Sequence, residues 1–409
     1  MKTVLASAYD INPYRGSESG TGWNIIIQIA KINSVIAITR KNNEFNINRY
    51  ILENEVDISN LQFEYFDLPK WAMIWKRGAT FARLYFYLWQ LLLPLYVRRK
   101  EIKFDIAHNV NFHTDTTPTF LWTLGRPTIW GPVNHNEAIP AQYIGSVKIY
   151  IQDRLKWFLK NCSWRMDPFI WLSIRKSSIV VGGNSGVRRR LGVPKEKFYI
   201  LSTVASTVSG IRNSKFDRNV FRVVVVGRQI PIKSMDIAMR SFEKFFEKIS
   251  GNDKRKVELV MLGDGELHYK LRDIASRLKC SSVIKFKRHI DYSQMNMFYA
   301  EASCLLNCSH EGAGVVIAEA LSNGLPVICF DNFGAGESVD SSCSLKVRYS
   351  SLDETIEGLS SHMLRLFSDS QLLNELSCGA IKYFSDQMTW DCKGTELKRI
   401  YMRLESITN

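Results

Sequence analysis

The sequence predicts an α/β protein with two doubly wound parallel sheets. Short apolar runs that suit strands alternate with longer helical patterns in two successive series, and a polar stretch with neither pattern separates the series. The length of 409 residues also fits two domains better than one. We therefore expect two Rossmann-like domains that face each other across a cleft, with ligands at the carboxyl ends of the strands.

The elements follow in chain order. In the first series, strand-like runs occupy residues 3–8, 35–39, 104–108, 128–130, 179–181 and 199–201. In the second series, they occupy residues 221–226, 257–262, 283–286, 302–307 and 326–330, with helical patterns up to about residue 249, from residue 266 and around residues 315–322. Between the series, residues 206–219 (STVSGIRNSKFDRN) are polar and form the predicted linker. We therefore predict a first domain at 1–205, a second at 220–388 and a C-terminal helix at 389–409.

Composition excludes several classes of protein. With 45% hydrophobic and 23% charged residues, the chain is unlike collagen, coiled coils and mostly disordered proteins. Its 8 cysteines include no Cys-x-x-Cys pair, which argues against a zinc ribbon or a disulfide framework. We expect reduced, buried thiols in a cytoplasmic protein. No signal peptide is expected, because Met1 leads directly into a strand-like run.

The positive charge is concentrated in one half. The net charge is +14, of which residues 1–205 carry +12 and the remainder +2. Such an imbalance favours an anionic partner of the first half, such as a membrane surface, a phosphorylated lipid or a nucleic acid. No helix-turn-helix, zinc-finger or RNA-binding pattern accompanies the charge, so nucleic acid is the weaker expectation.

One apolar segment lies within this basic half. Residues 84–97 (LYFYLWQLLLPLYV) are too short to cross a bilayer, which takes about 20 apolar residues. The flanking cations are Lys76, Arg77 and Arg83 on one side and Arg98, Arg99 and Lys100 on the other. Two interpretations stay open: a segment that lies among lipid headgroups, or a buried helix with solvated ends.

Charged side chains follow two strands of the second half. Gly227-Arg228 and Lys233 (GRQIPIKS) come directly after the strand at 221–226, where a guanidinium and an ammonium group beside a helix start would bind a diphosphate. Such loop cations are more often merely solvated. The turn Gly263-Asp264-Gly265-Glu266, after the next strand, is interpreted as structural.

A pair of carboxylates follows the strand at 302–307. Glu311 lies in the loop SHEGAG, and Glu319 follows on a helix whose other residues are mostly apolar. Gly312, Ala313, Gly314 and Val315 would offer backbone N–H groups at the start of that helix. Glu319 is either a solvated helix residue or a buried carboxylate, and a buried one requires a partner.

These motifs carry a resemblance to a known family. The segments GR-x4-K, GDGE and SHEGAGVVIAEALSNGLPVICFDNFGAGE, together with NPYRGSESGTGWNIIIQIAK and WGPVNHNE in the first half, resemble retaining nucleotide-sugar glycosyltransferases of the GT-B fold. The Glu-x7-Glu pair of Glu311 and Glu319 is similar to the hallmark of the large family four, and WGPVNHNE resembles a segment common in its polysaccharide-assembly members. The similarity extends over nearly the whole chain and is most specific at residues 303–337.

The resemblance implies roles for the second half. Arg228 and Lys233 would neutralise the leaving diphosphate, and Glu311 would accept hydrogen bonds from the transferred sugar. The amides of residues 312–315 would hold the sugar or the phosphate, and Glu319 would bind the ribose diol. His289 and Ile290 would border the nucleobase.

In the first half, the resemblance implies an acceptor-binding domain, to which the C-terminal helix returns. Gly16 would let the backbone approach the phosphates. His108 is either a catalytic residue that contacts the sugar or a satisfied core histidine, and His113 and His135 are weaker candidates. Glu18 and Glu137 are either acceptor-side carboxylates or solvated residues.

No Asp-x-Asp pair occurs in the sequence, so neither a metal ion nor another cofactor is expected. The resemblance implies transfer from a UDP- or GDP-linked sugar to a glycan or lipid-linked acceptor in the assembly of a bacterial surface polysaccharide (capsule, O-antigen, lipopolysaccharide or exopolysaccharide), at the inner face of the membrane. The alternatives are a non-hydrolysing sugar-nucleotide epimerase of the same fold and a basic nucleic-acid-binding protein.

Overall fold

The computed structural model describes residues 1–69, 81–206 and 220–408, apart from the side chains of Ser17, Arg255, Tyr292 and Thr408. Lys76 and Arg77, named above as flanking cations, lie outside the described residues, as does the predicted linker after Ser206. Contacts between Cα atoms group the described chain into two compact units.

The first unit contains a seven-stranded sheet in which every pairing is parallel. Its strands are β1 (Thr3–Ser7), β2 (Ser34–Thr39), β3 (Leu61–Tyr65), β4 (Ile106–Asn109), β5 (Thr128–Val133), β6 (Ile179–Gly182) and β7 (Phe198–Ile200). The helices that alternate with these strands along the chain are α1 (Ser17–Ala30), α2 (Glu44–Glu53), α3 (Ala82–Arg99), α4 (Val147–Met166), α5 (Pro168–Lys176) and α6 (Gly186–Leu191), and the part of α4 up to residue 157 groups with the second unit. The strand order is β3-β2-β1-β4-β5-β6-β7, as in a Rossmann sheet with one added edge strand.

The second unit repeats this topology with six parallel strands. They are β8 (Phe221–Val226), β9 (Val257–Leu262), β10 (Ile284–Lys287), β11 (Cys304–Asn307), β12 (Val327–Phe330) and β13 (Ser344–Val347), in the order β10-β9-β8-β11-β12-β13. Its helices are α7 (Met235–Lys248), α8 (His268–Arg277), α9 (Met295–Ala300), α10 (Val315–Ser322), α11 (Leu352–Ser368) and α12 (Ser370–Gln387). The last helix of the chain, α13 (Trp390–Thr408), groups with the first unit. The predicted α/β class with two Rossmann-like domains is confirmed.

The sequence patterns missed one strand in each sheet. Strand β3 (LQFEY) buries only its first residue fully, and the middle residues of β13 (SLKV) are only half-buried. Both are edge or near-edge strands with few apolar residues, so they lack the continuous apolar run by which central parallel strands are found.

The units do not follow the predicted boundary at residue 205 throughout. The first unit contains residues 1–135 and 158–203 together with α13, whereas residues 136–157 group with the second unit. Within the first unit, α13 packs against α1, where Lys31 forms an ion pair with Asp391 at 2.7 Å. Gly394 permits this approach, since a Cβ there would lie 2.3 Å from the Gln28 side-chain oxygen.

The segment 84–97 forms most of α3, and one side of this helix lies in the core. Tyr85, Trp89 and Leu93 are at most 1% exposed, and the Trp89 indole donates a hydrogen bond to the Phe66 carbonyl at 2.9 Å. Of the two interpretations, the structure therefore shows the buried helix. Leu91 and Leu95 on the outer side remain partly exposed. No helix among the described residues is both long and apolar enough to cross a membrane.

All eight cysteines are free, and five of them are buried.

Candidate functional site

The topology of the second sheet selects one position for ligands. Its strand order reverses between β8 and β11, and in open parallel sheets the crevice beyond the carboxyl ends at such a switch point is the usual ligand site. The two loops that meet there follow β8 and β11. These are the loops that carry Arg228 and Lys233, and Glu311.

The loop after β8 turns sharply to position Lys233. Gly227 has φ of 141°, a conformation that favours glycine, and Ser234 has φ of 42° directly before α7 begins. The Lys233 side chain lies across Gly227, because a Cβ at Gly227 would be 3.3 Å from the lysine Cε. As a result, the Lys233 ammonium group is directed towards the loop after β11.

There, Lys233 meets one of the predicted carboxylates. Its Nζ lies 2.9 Å from Glu311 Oε2, with side-chain exposures of 11% for Lys233 and 21% for Glu311. Gly334 lets the chain pass behind Glu311, since a Cβ at Gly334 would lie 1.8 Å from the Glu311 carbonyl oxygen. The structure therefore brings these two predicted residues together and leaves both partly accessible.

His310 fixes the Glu311 loop from the inside. Its Nε2 is 3.0 Å from the Ser234 hydroxyl and its Nδ1 is 2.7 Å from the Tyr349 hydroxyl. Burial lowers the pKa of His310 to about 3, so the ring is neutral at physiological pH. His310 thus joins the loop after β8 to the loop after β11 and holds both ends of the Lys233–Glu311 pair in register.

The turn at Gly263-Asp264-Gly265-Glu266 supports the same loop. The buried Gln229 donates from its amide side chain to the Gly263 carbonyl at 2.7 Å and from its backbone to the Asp264 carbonyl at 2.9 Å. A Cβ at Gly263 would lie 1.9 Å from the Gly227 carbonyl oxygen. The turn is therefore structural, as interpreted from the sequence, and Gln229 is a positioning residue that the sequence did not reveal.

Helix α10 begins at Val315, with Gly314 as its N-cap and no side-chain cap among the described residues. One of the amides predicted for the ligand has another partner: the Gly312 N–H donates to the Asn136 side chain at 2.8 Å. The prediction of a continuous set of ligand amides from residue 312 is corrected accordingly. Ala313, Gly314 and Val315 remain at the start of the helix, where a partial positive charge favours anions.

Glu319 is half-buried on α10 and has the partner that its surroundings require. The Tyr299 hydroxyl donates to Glu319 Oε2 at 2.9 Å. Burial raises the pKa of Glu319, and the hydrogen bond from Tyr299 opposes that rise in part. The interpretation as a solvated helix residue is therefore excluded.

The remaining predicted residues of the second unit are more exposed. Arg228 is exposed and makes no hydrogen bond or ion pair with other described side chains. His289 is 83% exposed and Ile290 is half-buried, in the loop after β10. Nearby, Arg288 forms an ion pair with Asp264 at 2.7 Å.

His108 has a structural environment. It is fully buried in β4, with Nδ1 2.6 Å from the Tyr401 hydroxyl and Nε2 3.0 Å from the Gly131 carbonyl. Burial lowers its pKa to about 4. Since both ring nitrogens have partners and the side chain has no exposed surface, the structure supports the core alternative and not the predicted catalytic role.

Gly16 begins α1 and lies at the surface. Its φ of −75° is open to any residue, and a Cβ would meet nothing within 4 Å. Two glycines within α1 are needed for close packing instead. A Cβ at Gly20 would lie 2.1 Å from the Arg15 carbonyl oxygen, and a Cβ at Gly22 would lie 2.3 Å from the Asn111 amide nitrogen. Glu18 accepts a hydrogen bond from the Phe112 N–H at 2.7 Å, and burial raises its pKa.

Sequence reasoning missed a charged cluster in the first unit. Asp115, which is 1% exposed, accepts from His135 at 2.8 Å and from Lys160 at 2.9 Å, with Arg190 at 3.4 Å. Burial acts to raise the pKa of Asp115, but His135 and Lys160 outweigh it and hold the pKa below its usual value. The three partners of Asp115 come from separate segments, so no local motif indicates the cluster.

Among the described residues, no group of three or more His, Cys, Asp or Glu side chains could hold a metal ion.

Residues 211–382 match the family model for glycosyl transferases group 1. This glycosyl transferases group 1 domain contains both switch-point loops, both carboxylates of the Glu-x7-Glu pair and the GDGE turn. No curated protein sequence matches the chain significantly.

Solved structures similar to the chain have the GT-B fold. Sucrose-phosphate synthase from Thermosynechococcus elongatus is 12% identical, with a TM-score of 0.65, and 100% of each chain is covered. HepE of Anabaena, solved in complex with UDP and glucose, is 14% identical, with a TM-score of 0.62 and coverage of 98% of this chain and 100% of that one. WaaG, a glycosyltransferase involved in lipopolysaccharide biosynthesis, is 14% identical, with a TM-score of 0.60 and coverage of 96% and 98%. The predicted GT-B fold is confirmed.

Proposed function

We propose that the protein is a retaining hexosyltransferase of family four that moves a sugar from a UDP- or GDP-sugar to a glycan acceptor. The observation that carries the proposal is the Lys233–Glu311 pair at the β8/β11 switch point, at 2.9 Å. Both side chains are partly accessible there, so that the cation can bind the diphosphate of the donor and the carboxylate can bind the hydroxyls of its sugar. The glycosyl transferases group 1 match over the same residues, and the UDP complex of HepE, support this donor class.

The charges suggest how the donor lies. Negative charge grows on the diphosphate as the glycosidic bond breaks, and Lys233 with the exposed Arg228 would neutralise it. The start of α10 at Gly314 and Val315 adds a partial positive charge. Glu311 accepts hydrogen bonds from sugar hydroxyls, while its pairing with Lys233 makes it a weak nucleophile. We therefore expect attack by the acceptor on the face that the diphosphate leaves, which retains the anomeric configuration.

Glu319 would bind the ribose. One of its oxygens accepts from Tyr299, which fixes the carboxylate and leaves the second oxygen to accept from a diol. His289 and Ile290 would border the base, and Gly16 of the first domain would admit phosphate.

The reaction is proposed to be independent of metal ions and other cofactors, because Lys233 and Arg228 supply positive charge to the diphosphate. Nucleotide release in excess EDTA is expected to equal that of the untreated protein. Loss of activity that magnesium or manganese restores would contradict this part of the proposal.

For the acceptor, we propose a glycan or a lipid-linked intermediate of bacterial surface polysaccharide assembly, bound through the basic first domain at the inner face of the membrane. The net charge of +12 on residues 1–205 and the involvement of WaaG, a structurally similar protein, in lipopolysaccharide biosynthesis support this choice. Nucleic acid is not proposed as a partner.

A donor screen tests the proposal. Release of UDP or GDP would be followed with a panel of nucleotide sugars, with and without a lipid-linked acceptor extract, in the parent protein and in Lys233→Ala. We expect release from at least one donor by the parent and a loss of about a hundredfold in the variant. Absence of release and of thermal stabilisation by every UDP- and GDP-sugar would contradict the proposal.

A further inference from the structure

Helix α4 presents an apolar face that the described part of the chain leaves exposed. None of its 20 residues is buried, and its large apolar side chains are among the most exposed of the chain. The α4 face consists of Ile151, Leu155, Phe158, Leu159 and Met166, which are 59%, 55%, 63%, 58% and 78% exposed. Their spacing of three, four and seven residues places them along one side of the helix.

The opposite side of α4 explains why this face points outward. Lys160 reaches the buried Asp115 at 2.9 Å, and the Trp164 ring lies 4.4 Å from the Arg190 guanidinium carbon. These contacts fix the rotation of the helix about its axis. A rotation of α4 that turned the apolar face inward would therefore break the Asp115 cluster.

Helix α5 extends the exposed apolar surface. Trp171 is 57% exposed, and the Arg175 guanidinium lies 5.3 Å from the centre of its ring. An exposed tryptophan beside an arginine is typical of side chains that sit at the level of lipid headgroups.

The charges around the face determine the partner. Residues 147–176 contain seven Lys or Arg residues and two Asp residues. Lys148, Lys156 and Arg165 are exposed beside the apolar side chains, whereas Asp153 pairs with its neighbour Arg154 and Asp167 caps α5. A second copy of this face would bring two sets of cations together, while an anionic bilayer accepts both the cations and the apolar groups.

We infer that the α4 face docks this protein on an anionic lipid bilayer. Leu155, Phe158 and Met166 enter the boundary between headgroups and acyl chains, and Lys148, Lys156 and Arg165 contact the headgroups. The inference takes its membrane partner from the proposed function, but the docking surface stands on the exposure and charge of α4. It moves the docking site from the segment 84–97 to a different helix.

Sedimentation with vesicles tests the inference. The full chain would be incubated at physiological salt with vesicles of equal parts phosphatidylglycerol and phosphatidylcholine, and with vesicles of phosphatidylcholine alone. Two triple variants alter the α4 face: Lys148→Glu, Lys156→Glu, Arg165→Glu for charge, and Leu155→Gln, Phe158→Gln, Met166→Gln for apolar contact. The matched control reverses three exposed cations at the end of α3, with Arg98→Glu, Arg99→Glu and Lys100→Glu.

We expect the parent to bind the anionic vesicles, the charge variant to lose about a hundredfold in partitioning and the apolar variant about tenfold or more. The α3 control should retain binding within about threefold of the parent. Equal loss of binding in the α3 control would show that the vesicles attract the protein only through its net charge. Full binding by either α4 variant would show that the α4 face does not contact the bilayer. Each of these results overturns the inference.

Two further readouts complete the test. A parent that is dimeric without lipid, and becomes monomeric in the apolar variant, would identify the face as an interface between copies and overturn the inference. All substituted side chains are exposed, so unchanged melting temperatures are expected. Release of nucleotide from a soluble donor should be unchanged in both α4 variants, so that loss of vesicle binding is distinguished from failure of the proposed transfer.

Discussion

The two sheets have the same order for their first six strands, yet the polar side chains at their switch points differ in exposure. In the second unit, the loops after β8 and β11 leave the Lys233–Glu311 pair partly accessible. In the first unit, His108 on β4 is fully buried in the core. In the loop that follows β4, the Phe112 N–H donates a hydrogen bond to the half-buried Glu18. The same topology thus holds a partly accessible ion pair in one unit and a buried, hydrogen-bonded histidine in the other.

The difference arises from glycine positions. Gly227 and Gly263 let two loops of the second unit approach within a distance that no Cβ would allow, and the Lys233 side chain lies across Gly227 and pairs with Glu311. In the first unit, Gly20 and Gly22 instead admit the Arg15 carbonyl and the Asn111 side chain. In the second unit, the close approach of two loops lies beside the partly accessible Lys233–Glu311 pair. In the first unit, the space beside the glycines is filled by protein atoms.

The largest expected effect concerns the accessible pair. Lys233→Ala and Glu311→Ala should each lower transfer by about a hundredfold or more, because each removes a group aimed at the charge or the sugar of the transition state. Steady-state nucleotide release would be compared with Lys244→Ala, an exposed lysine on α7, as the control. Turnover close to that of the control in both variants would show that Lys233 and Glu311 do not contribute to transfer.

Glu319→Gln should raise the KM for the donor by about tenfold, because a carboxylate is a stronger hydrogen-bond acceptor for a ribose diol than an amide. The effect should depend on pH. Since burial raises the pKa of Glu319, the carboxylate is protonated as pH falls through that raised pKa, and the parent's KM should rise there.

Two variants sharpen this prediction. Glu319→Gln should lack the rise of KM at low pH, and Tyr299→Phe should shift the rise to higher pH, because it removes the hydrogen bond that lowers the pKa of Glu319. An identical pH profile of KM in the parent and in Glu319→Gln would show that Glu319 does not contact the donor.

Arg228→Ala should have a smaller effect, about tenfold on kcat/KM, because the Arg228 side chain is exposed and its interaction with a diphosphate is screened by water and salt. Arg228→Lys should recover part of the activity by restoring the charge without the planar fork. If high salt leaves the difference between Arg228→Ala and the parent unchanged, Arg228 does not act through its charge.

The smallest effect on activity is expected for His108→Gln. Turnover should stay within about threefold of the parent, while the free energy of unfolding falls by about 2 kcal/mol as the Tyr401 hydroxyl and the Gly131 carbonyl lose partners. A hundredfold loss of turnover with an unchanged free energy of unfolding would show that His108 acts in catalysis, as first predicted.

The stability of His108→Gln should also depend less on pH. The folded-state pKa of His108 is about 4, below its unfolded value near 6.5, so the stability linked to His108 is present above pH 6.5 and lost as pH falls towards 4. Urea unfolding of the parent and the variant across this range would measure the difference.

The sequence predicted those parts of the molecule that depend on local pattern. The central strands, the two series and the loops of Lys233 and Glu311 all follow from apolar runs and the charged residues directly after them. The sequence could not show that the Gly312 N–H donates to Asn136, or that Asp115 has basic partners from three segments, because these contacts join residues far apart in the chain. Likewise, only packing shows that one side of α3 is covered while apolar side chains of α4 are exposed.

A charge-swap variant tests the role of the Lys233–Glu311 pair most directly. The double variant Lys233→Glu, Glu311→Lys retains an ion pair but places a negative charge where the diphosphate is proposed to lie. We expect a melting temperature close to that of the parent and a loss of nucleotide release of about a hundredfold or more with the donor that the parent uses best. Release within about threefold of the parent would mean that the pair only joins two loops, and would contradict the donor site proposed at the β8/β11 switch point.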